Sequence, residues 1–188
     1  VYNIPEDSVA RRQRSNAKTV NFGIIYGVSA FGLSQQTDLN RIESKEMIDT
    51  YYKSYPKLKE YMSSQIQFAR ENGFVSTLLK RRRYLNDINS QNAIVRGAAE
   101  RTAINAPVQG SAADIIKLAM IQIDKKIYKE KLQSRMILQV HDELVFDVPK
   151  EEKDVLSKIV KIEMENALEI KVPLVVDLET GKNWLEAH

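Results

Sequence analysis

Cysteine is absent from this 188-residue sequence. That excludes disulfides and thiolate metal sites, and it points to a reducing compartment. Glycine and proline are sparse, at seven and five residues, and no linker rich in Gly, Ser and Pro, no repeat and no low-complexity stretch occurs. No apolar run approaches the roughly 20 residues needed to span a bilayer, so neither a transmembrane segment nor a membrane partner is expected. A large excess of one charge is missing too. Lys and Arg number 28 against 25 Asp and Glu, for a net charge of +3. This is a slight lean towards polyanionic partners that many ordinary enzymes share. Also missing are an initiating methionine and a signal-like apolar stretch after Val1. The chain is therefore expected to begin inside a longer protein, with any targeting information upstream.

What is present suits a folded body. Hydrophobic residues make up 43% and charged ones 28%, enough for one well-buried domain, with room for two lobes. Ile4-Pro5-Glu6-Asp7 has the proline and early acids of a helix start. A basic helix is expected from about Arg11 to Tyr26, stopped by Gly27. Ser44 can cap a helix with the stripe Met47, Ile48, Tyr51, Tyr52 and Tyr55. Pro56 breaks or kinks it, and Leu58, Tyr61, Met62 and Ile66 continue a second stripe up to Gly73.

A short strand over Phe74–Leu79 then leads into the basic run Lys80-Arg81-Arg82-Arg83. Two helices are expected next, about Ser90–Asn105 and Gln109–Lys129, with Pro107 at the start of the second. Beyond them the period changes to two. Met136, Leu138 and Val140, then Leu144, Phe146 and Val148, predict a β-hairpin with His141-Asp142-Glu143 at its tip. A helix over about Glu151–Leu168 and a strand over Leu174–Leu178 complete an α+β fold, mostly helical in its first part.

On the basic helix, Arg14, Lys18, Phe22 and Tyr26 are each four apart and share one face. Arg grips phosphate oxygens bidentately, Lys offers a mobile ammonium and an acid proton, and aromatic rings suit a sugar and a base. Taken alone, such residues more often form a solvated face and a core stripe. Likewise, Asp142 and Glu143 at a turn are ordinarily just hydrated, although hard oxygens on a hairpin tip also suit Mg²⁺.

The longer strings decide between these readings. Arg14-Ser15-Asn16-Ala17-Lys18-Thr19-Val20-Asn21-Phe22-Gly23-Ile24-Ile25-Tyr26-Gly27 resembles motif B of the family A DNA polymerases, R-x3-K-x3-F-G-x2-Y-G. Gln139-Val140-His141-Asp142-Glu143-Leu144 resembles their motif C, and Ala99 to Asp114 is similar to the family between the two. The resemblance implies that residues 1–80 are mainly the fingers subdomain and 81–188 mainly the palm. It implies that Arg14 and Lys18 hold the phosphates of a deoxynucleoside triphosphate, that Lys18 protonates the departing pyrophosphate, that Phe22 packs on the sugar, and that Tyr26 meets the template base. A Phe at the place of Phe22 goes in this family with discrimination against dideoxynucleotides.

By the same resemblance, Arg101, Asn105, Gln109 and His141 contact primer-template DNA. Minor-groove acceptors, common to all correct pairs, let such contacts sense pairing without reading sequence. Asp142 and Glu143 are the implied metal residues for two Mg²⁺ ions, and Asp142, Glu143 and Lys18 the implied catalytic set. A bacterial cytoplasmic, nucleoid-associated protein is expected, with an organellar origin left open.

The family's motif A, approximately D-Y-S-Q-I-E-L-R, occurs nowhere in the sequence, and neither does the thumb. Both are expected partners from the remainder of a polymerase chain, and the 188 residues alone are expected to be inactive. The alternative from another class is a non-catalytic nucleic-acid-binding fragment. A phosphohydrolase using the hairpin acids is a third reading; it needs further acids nearby, and Asp147 is a poor candidate because the alternation puts it off the core face of the tip strand. The family also often has Gly where Lys80 stands and Pro where Asn86 stands.

Overall fold

The computed structural model describes Pro5 and residues 8–187. The expected helix start at Ile4–Asp7 lies outside the described residues except for Pro5. The chain forms two compact units, residues 1–108 and 109–188. The first holds α1 (Arg11–Ile25), α2 (Ala30–Ser34), α3 (Arg41–Ser54), α4 (Pro56–Asn72), β1 (Phe74–Ser76), β2 (Arg82–Tyr84) and the beginning of α5 (Ala93–Lys129). The second holds the rest of α5, then β3 (Arg135–Val140), β4 (Glu143–Asp147), a 3₁₀ turn at Lys150–Glu152 and α6 (Lys153–Glu165).

Helix α1 ends as expected. Gly27 has φ +72°, a conformation that a Cβ disfavours, and its N–H closes on Ile24 O at 2.9 Å. The cap of α3 is Asn40, not Ser44. Asn40 Oδ1 accepts from the N–H groups of Ile42 and Glu43 at 2.8 and 3.0 Å, while the Glu43 carboxylate accepts from Asn40 N–H at 2.8 Å. This reciprocal box satisfies backbone donors that a serine four residues later cannot reach. Ser44 instead lies buried inside α3. Pro56 begins α4 at its first turn, where a missing N–H is harmless.

The apolar sides of α1, α2, α3 and α4 meet in a core of Val20, Ile24 and Leu33, ringed by Met47, Ile48, Tyr51, Tyr52 and Leu58. A second core of this unit joins Ala69, Val75, Leu85, Ile88, Ala99 and Ala103.

The expected strand over Phe74–Leu79 stops at Ser76, and the basic run turns back on it. Phe74 pairs with Tyr84, Val75 with Arg83 and Ser76 with Arg82. Thr77 makes the reversal: its N–H donates to Arg81 O at 2.9 Å and its Oγ1 accepts from Arg81 N–H at 3.2 Å. The turn requires φ +66° at Lys80.

The two expected helices around Pro107 are one helix, α5, with the proline in its interior. An interior proline removes one hydrogen bond and costs about 3 kcal/mol locally. Burial continues on both sides of it, through Ala99, Ala103 and Ile104 before and Ile116, Ala119 and Ile123 after, and packing of that stripe outweighs the local preference. Its start is at Ala93 rather than Ser90, because Asn92 Oδ1 accepts from Ile94 N–H at 2.9 Å.

In the second unit, Ala119 and Ile123 of α5 pack with Leu156 and Val160 of α6, joined by Met136, Leu144 and Phe146 of the hairpin. The strict alternation expected along β3 fails at Leu138, which is 45% exposed. A bulge between Met136 and Leu138 sets Met136 opposite Phe146 but Leu138 opposite Val145. One extra residue moves Leu138 to the face away from the core. The helix expected over Glu151–Leu168 is shorter, opening as the 3₁₀ turn and ending at Glu165. Residues 174–178 form no strand. Their alternation survives, with Leu174 and Val176 half-buried and Val175 and Asp177 exposed. A ladder partner is what they lack among the described residues, and Val176 N–H donates instead to the Glu165 carboxylate at 3.2 Å.

Candidate functional site

Two faces divide α1. Val20 and Ile24 point into the core with no exposed surface. Arg14, Lys18 and Phe22, with Tyr26 just beyond the helix, run along the other side, about 200° round at 100° per residue. Phe22 and Tyr26 stack at 6.4 Å between ring centroids with planes 19° apart, and Lys18 Nζ lies 6.0 Å from the Phe22 ring. Both rings keep surface, 46% for Phe22 and 39% for Tyr26, which a core stripe would have lost.

These side chains border an open cleft of about 630 Å³ in the first unit. Lys18, Phe22, Tyr26 and Arg101 line it, together with Ser15, Thr19 and Gln36. Arg14 is exposed on the same stripe, outside the lining. Arg101 arrives from α5 and comes, with Ile104, into ordinary contact range of Gly27, where the positive φ rather than lack of space calls for glycine. At Gly23 space is the constraint, since a Cβ there would lie only 3.0 Å from Val28 Cγ1. Ser15 and Thr19 were absent from the expected set, although their spacing of four beside Arg14 and Lys18 could have found them. For Gln36, in the loop after α2, the sequence offers no signal.

Asn105, one turn beyond Arg101, is half-buried, and its Oδ1 is buried without a hydrogen-bond partner among the described residues. Such an acceptor is unfavourable unless a donor arrives.

The remaining expected residues belong to the second unit. Gln109 is exposed on α5. The β3–β4 hairpin turns at His141 and Asp142, with Val140 paired to Glu143 as the first rung of the ladder. His141 has φ +53°, and its carbonyl accepts from Gln139 Nε2 at 2.6 Å. A positive φ at the first loop position is a feature of tight hairpin turns. All three tip residues are exposed. Among the described residues no cluster of three or more His, Cys, Asp or Glu could hold a metal ion. Two adjacent carboxylates still fit one Mg²⁺, which takes one or two protein carboxylates and completes its shell with waters and phosphate oxygens. They do not make a cage for two ions. No helix among the described residues is long and apolar enough to cross a membrane.

Known proteins resemble the chain over nearly its whole length. The model of "DNA polymerase family A" matches residues 1–186. DNA polymerase I of Caldicellulosiruptor bescii is 52% identical over 186 residues, 99% of this chain and 22% of that protein. DNA polymerase I of Bacillus caldotenax is 49% identical over 187 residues, 100% of this chain and 21% of that protein. The chain thus spans little more than a fifth of the length of these relatives. Among solved structures, the POL domain of Pol1 from M. smegmatis, in complex with DNA primer-template and dNTP, superposes with a TM-score of 0.95 at 43% identity. That match covers 99% of this chain and 33% of that one. A family match of this extent, on a chain with an exposed cation–aromatic stripe on α1, places the protein in DNA polymerase family A.

Proposed function

We propose that the chain is the nucleotide-selecting, C-terminal part of a DNA-directed DNA polymerase, with residues 1–80 mainly fingers and 81–188 mainly palm. The observation that carries this is the exposed stripe of α1, in which Lys18, Phe22 and Tyr26 line one cleft with Arg101. Its order along the helix matches phosphate, sugar and base. The M. smegmatis protein, so similar in fold, was captured with primer-template and dNTP, which supports the same partners here.

In this reading Arg14 and Lys18 hold the triphosphate of an incoming deoxynucleotide by charge-assisted hydrogen bonds. Lys18 also donates a proton to the departing pyrophosphate as the primer 3′-hydroxyl attacks the α-phosphorus. Phe22 packs on the sugar, and Tyr26 takes the place of, or stacks on, the template base. Arg101, Asn105, Gln109 and His141 contact primer and template. Asp142 and Glu143 are the residues that would hold Mg²⁺. Bound there, it neutralises phosphate charge and makes the primer hydroxyl more acidic.

The sequence has no motif A string, so the 188 residues alone are expected to bind nucleotide without extending a primer. The test is titration of the chain with the fluorescent nucleotide MANT-dATP, beside a primer-extension assay. Binding that Arg14→Ala and Lys18→Ala each weaken at least tenfold is the expected result. Equal binding by the unsubstituted chain and Lys18→Ala would refute the triphosphate site. Template-dependent extension by the chain alone would refute the need for a further metal-ligating segment.

A further inference from the structure

The stripe on α1 can serve a triphosphate only if the helix keeps its rotation about its own axis, and the two ends of α1 are held differently. The C-terminal half is fixed by the buried side chains of Val20 and Ile24 and by Tyr51, whose hydroxyl donates to Asn21 Oδ1. Among the described residues, the first buried side chain of α1 is Val20. Arg14 and Lys18, which carry the charge, precede it.

Asp38, from the loop between α2 and α3, reaches that exposed half. Its Oδ2 accepts from Arg12 Nε at 2.7 Å, Arg12 Nη2 at 2.6 Å and Asn16 Nδ2 at 3.2 Å. Arg12 and Asn16 are one turn apart, on the side of α1 opposite Arg14 and Lys18. The loop is itself held on both sides of Asp38. Thr37 Oγ1 donates to Leu33 O at 2.9 Å, and Leu39 packs against the Val20–Ile24–Leu33 core. The hydrogen bond from Arg12, then that from Asn16, keeps the Asp38 carboxyl below its ordinary pKa, so the clamp is ionised at neutral pH.

We infer that Asp38 is a positioning residue for the triphosphate site, holding the N-terminal half of α1 by Arg12 and Asn16 so that Lys18 faces the cleft and Arg14 stays on the same exposed stripe. This rests on the triphosphate reading of α1 proposed above. An exposed ion pair of this kind adds little to global stability. Its effect falls on the direction of two cations, and so on nucleotide affinity rather than on folding.

The experiment is a MANT-dATP titration of the 188-residue chain in the presence of Mg²⁺, with amide hydrogen exchange over residues 11–18 and thermal melts alongside. Asp38→Ala is expected to weaken nucleotide binding about fivefold, to speed exchange in residues 11–18, and to leave the melting temperature within about 2 °C. Asp38→Glu, which can still accept from both partners, should bind within twofold of the unsubstituted chain. In a Lys18→Ala background Asp38→Ala should add no more than a twofold loss, because one of the two cations it directs is gone. Unchanged affinity in Asp38→Ala would overturn the positioning role, as would a loss that Asp38→Glu does not restore or that recurs in full in the Lys18→Ala background. If Lys18→Ala itself binds like the unsubstituted chain, the triphosphate reading fails instead, and the role assigned to Asp38 fails with it.

Discussion

Inside α3 the Ser44 hydroxyl is fully buried, and its Oγ has no hydrogen-bond partner among the described residues. A buried hydroxyl left unpaired costs about 1–3 kcal/mol, and alanine removes it without leaving a sizeable void. Ser44→Ala should therefore stabilise the chain by about 1 kcal/mol, read as a melting temperature roughly 2–4 °C higher. Lys80 presents the complementary case of a strained backbone. Its φ of +66° puts an L-residue in the left-handed region, at about 1 kcal/mol, and the family often has glycine at that place. Lys80→Gly should raise the melting temperature by a similar amount, whereas Lys80→Val, β-branched at the same φ, should lower it. The two positions differ in legibility. The family's glycine at the place of Lys80 put the geometry of that turn in doubt, whereas Ser44 read from sequence as a helix cap although Asn40, followed three residues later by Glu43, carries the local signature of a capping box.

Among the elements, those announced by one period and a clear stop were legible: α1 up to Gly27, α4 between Pro56 and Gly73, and the β3–β4 hairpin. Elements decided by distant packing were not. Pro107 reads as a boundary, and only the burial of Ala103 on one side and Ile116 on the other explains why α5 passes through it. Residues 174–178 alternate like a strand, but strand formation needs a partner that a local pattern cannot supply. A further feature invisible to periodicity lies between α5 and β3. The Glu152 carboxylate accepts from Gln133 N–H and Ser134 N–H, both at 2.9 Å, and from Ser134 Oγ at 2.6 Å. Those bonds, Gln133's first and then those of Ser134, hold its pKa below the ordinary 4.5. The unfolded chain then binds the proton more readily than the folded one, so folding loses stability as pH falls. The contribution is complete above about 4.5 and disappears as pH drops through the lowered folded value. Denaturant melts at successive pH values should show this slope, and Glu152→Gln should flatten it below pH 4.5. A slope unchanged in Glu152→Gln would show that other carboxylates carry it.

At the scale of the whole molecule, the candidate site was more legible than the fold, for a physical reason. Side chains that share one helix face recur at fixed spacings, so Arg14, Lys18, Phe22 and Tyr26 could be placed on one face from sequence. Gln36 enters the same cleft from another element, and only the folded chain brings it there. The division into two units was not legible from composition, because it depends on which apolar stripes meet. Val75 belongs to a core drawn from residues 66–106, and Ile123 to one built mainly from α5, α6 and the β3–β4 hairpin. Both side chains are completely buried. Truncating Ile123 to alanine should cost about 2–5 kcal/mol through lost burial and the cavity left behind, and Val75→Ala somewhat less. If each unit opens around its own core, the two losses will be local. Amide hydrogen exchange should then quicken across β3, β4 and α6 in Ile123→Ala, and across β1, β2 and α4 in Val75→Ala. The alternative is a single cooperative transition, in which either substitution quickens exchange throughout the chain to the same degree. The separate cores favour the first outcome, because among the described residues none is shared between the two clusters.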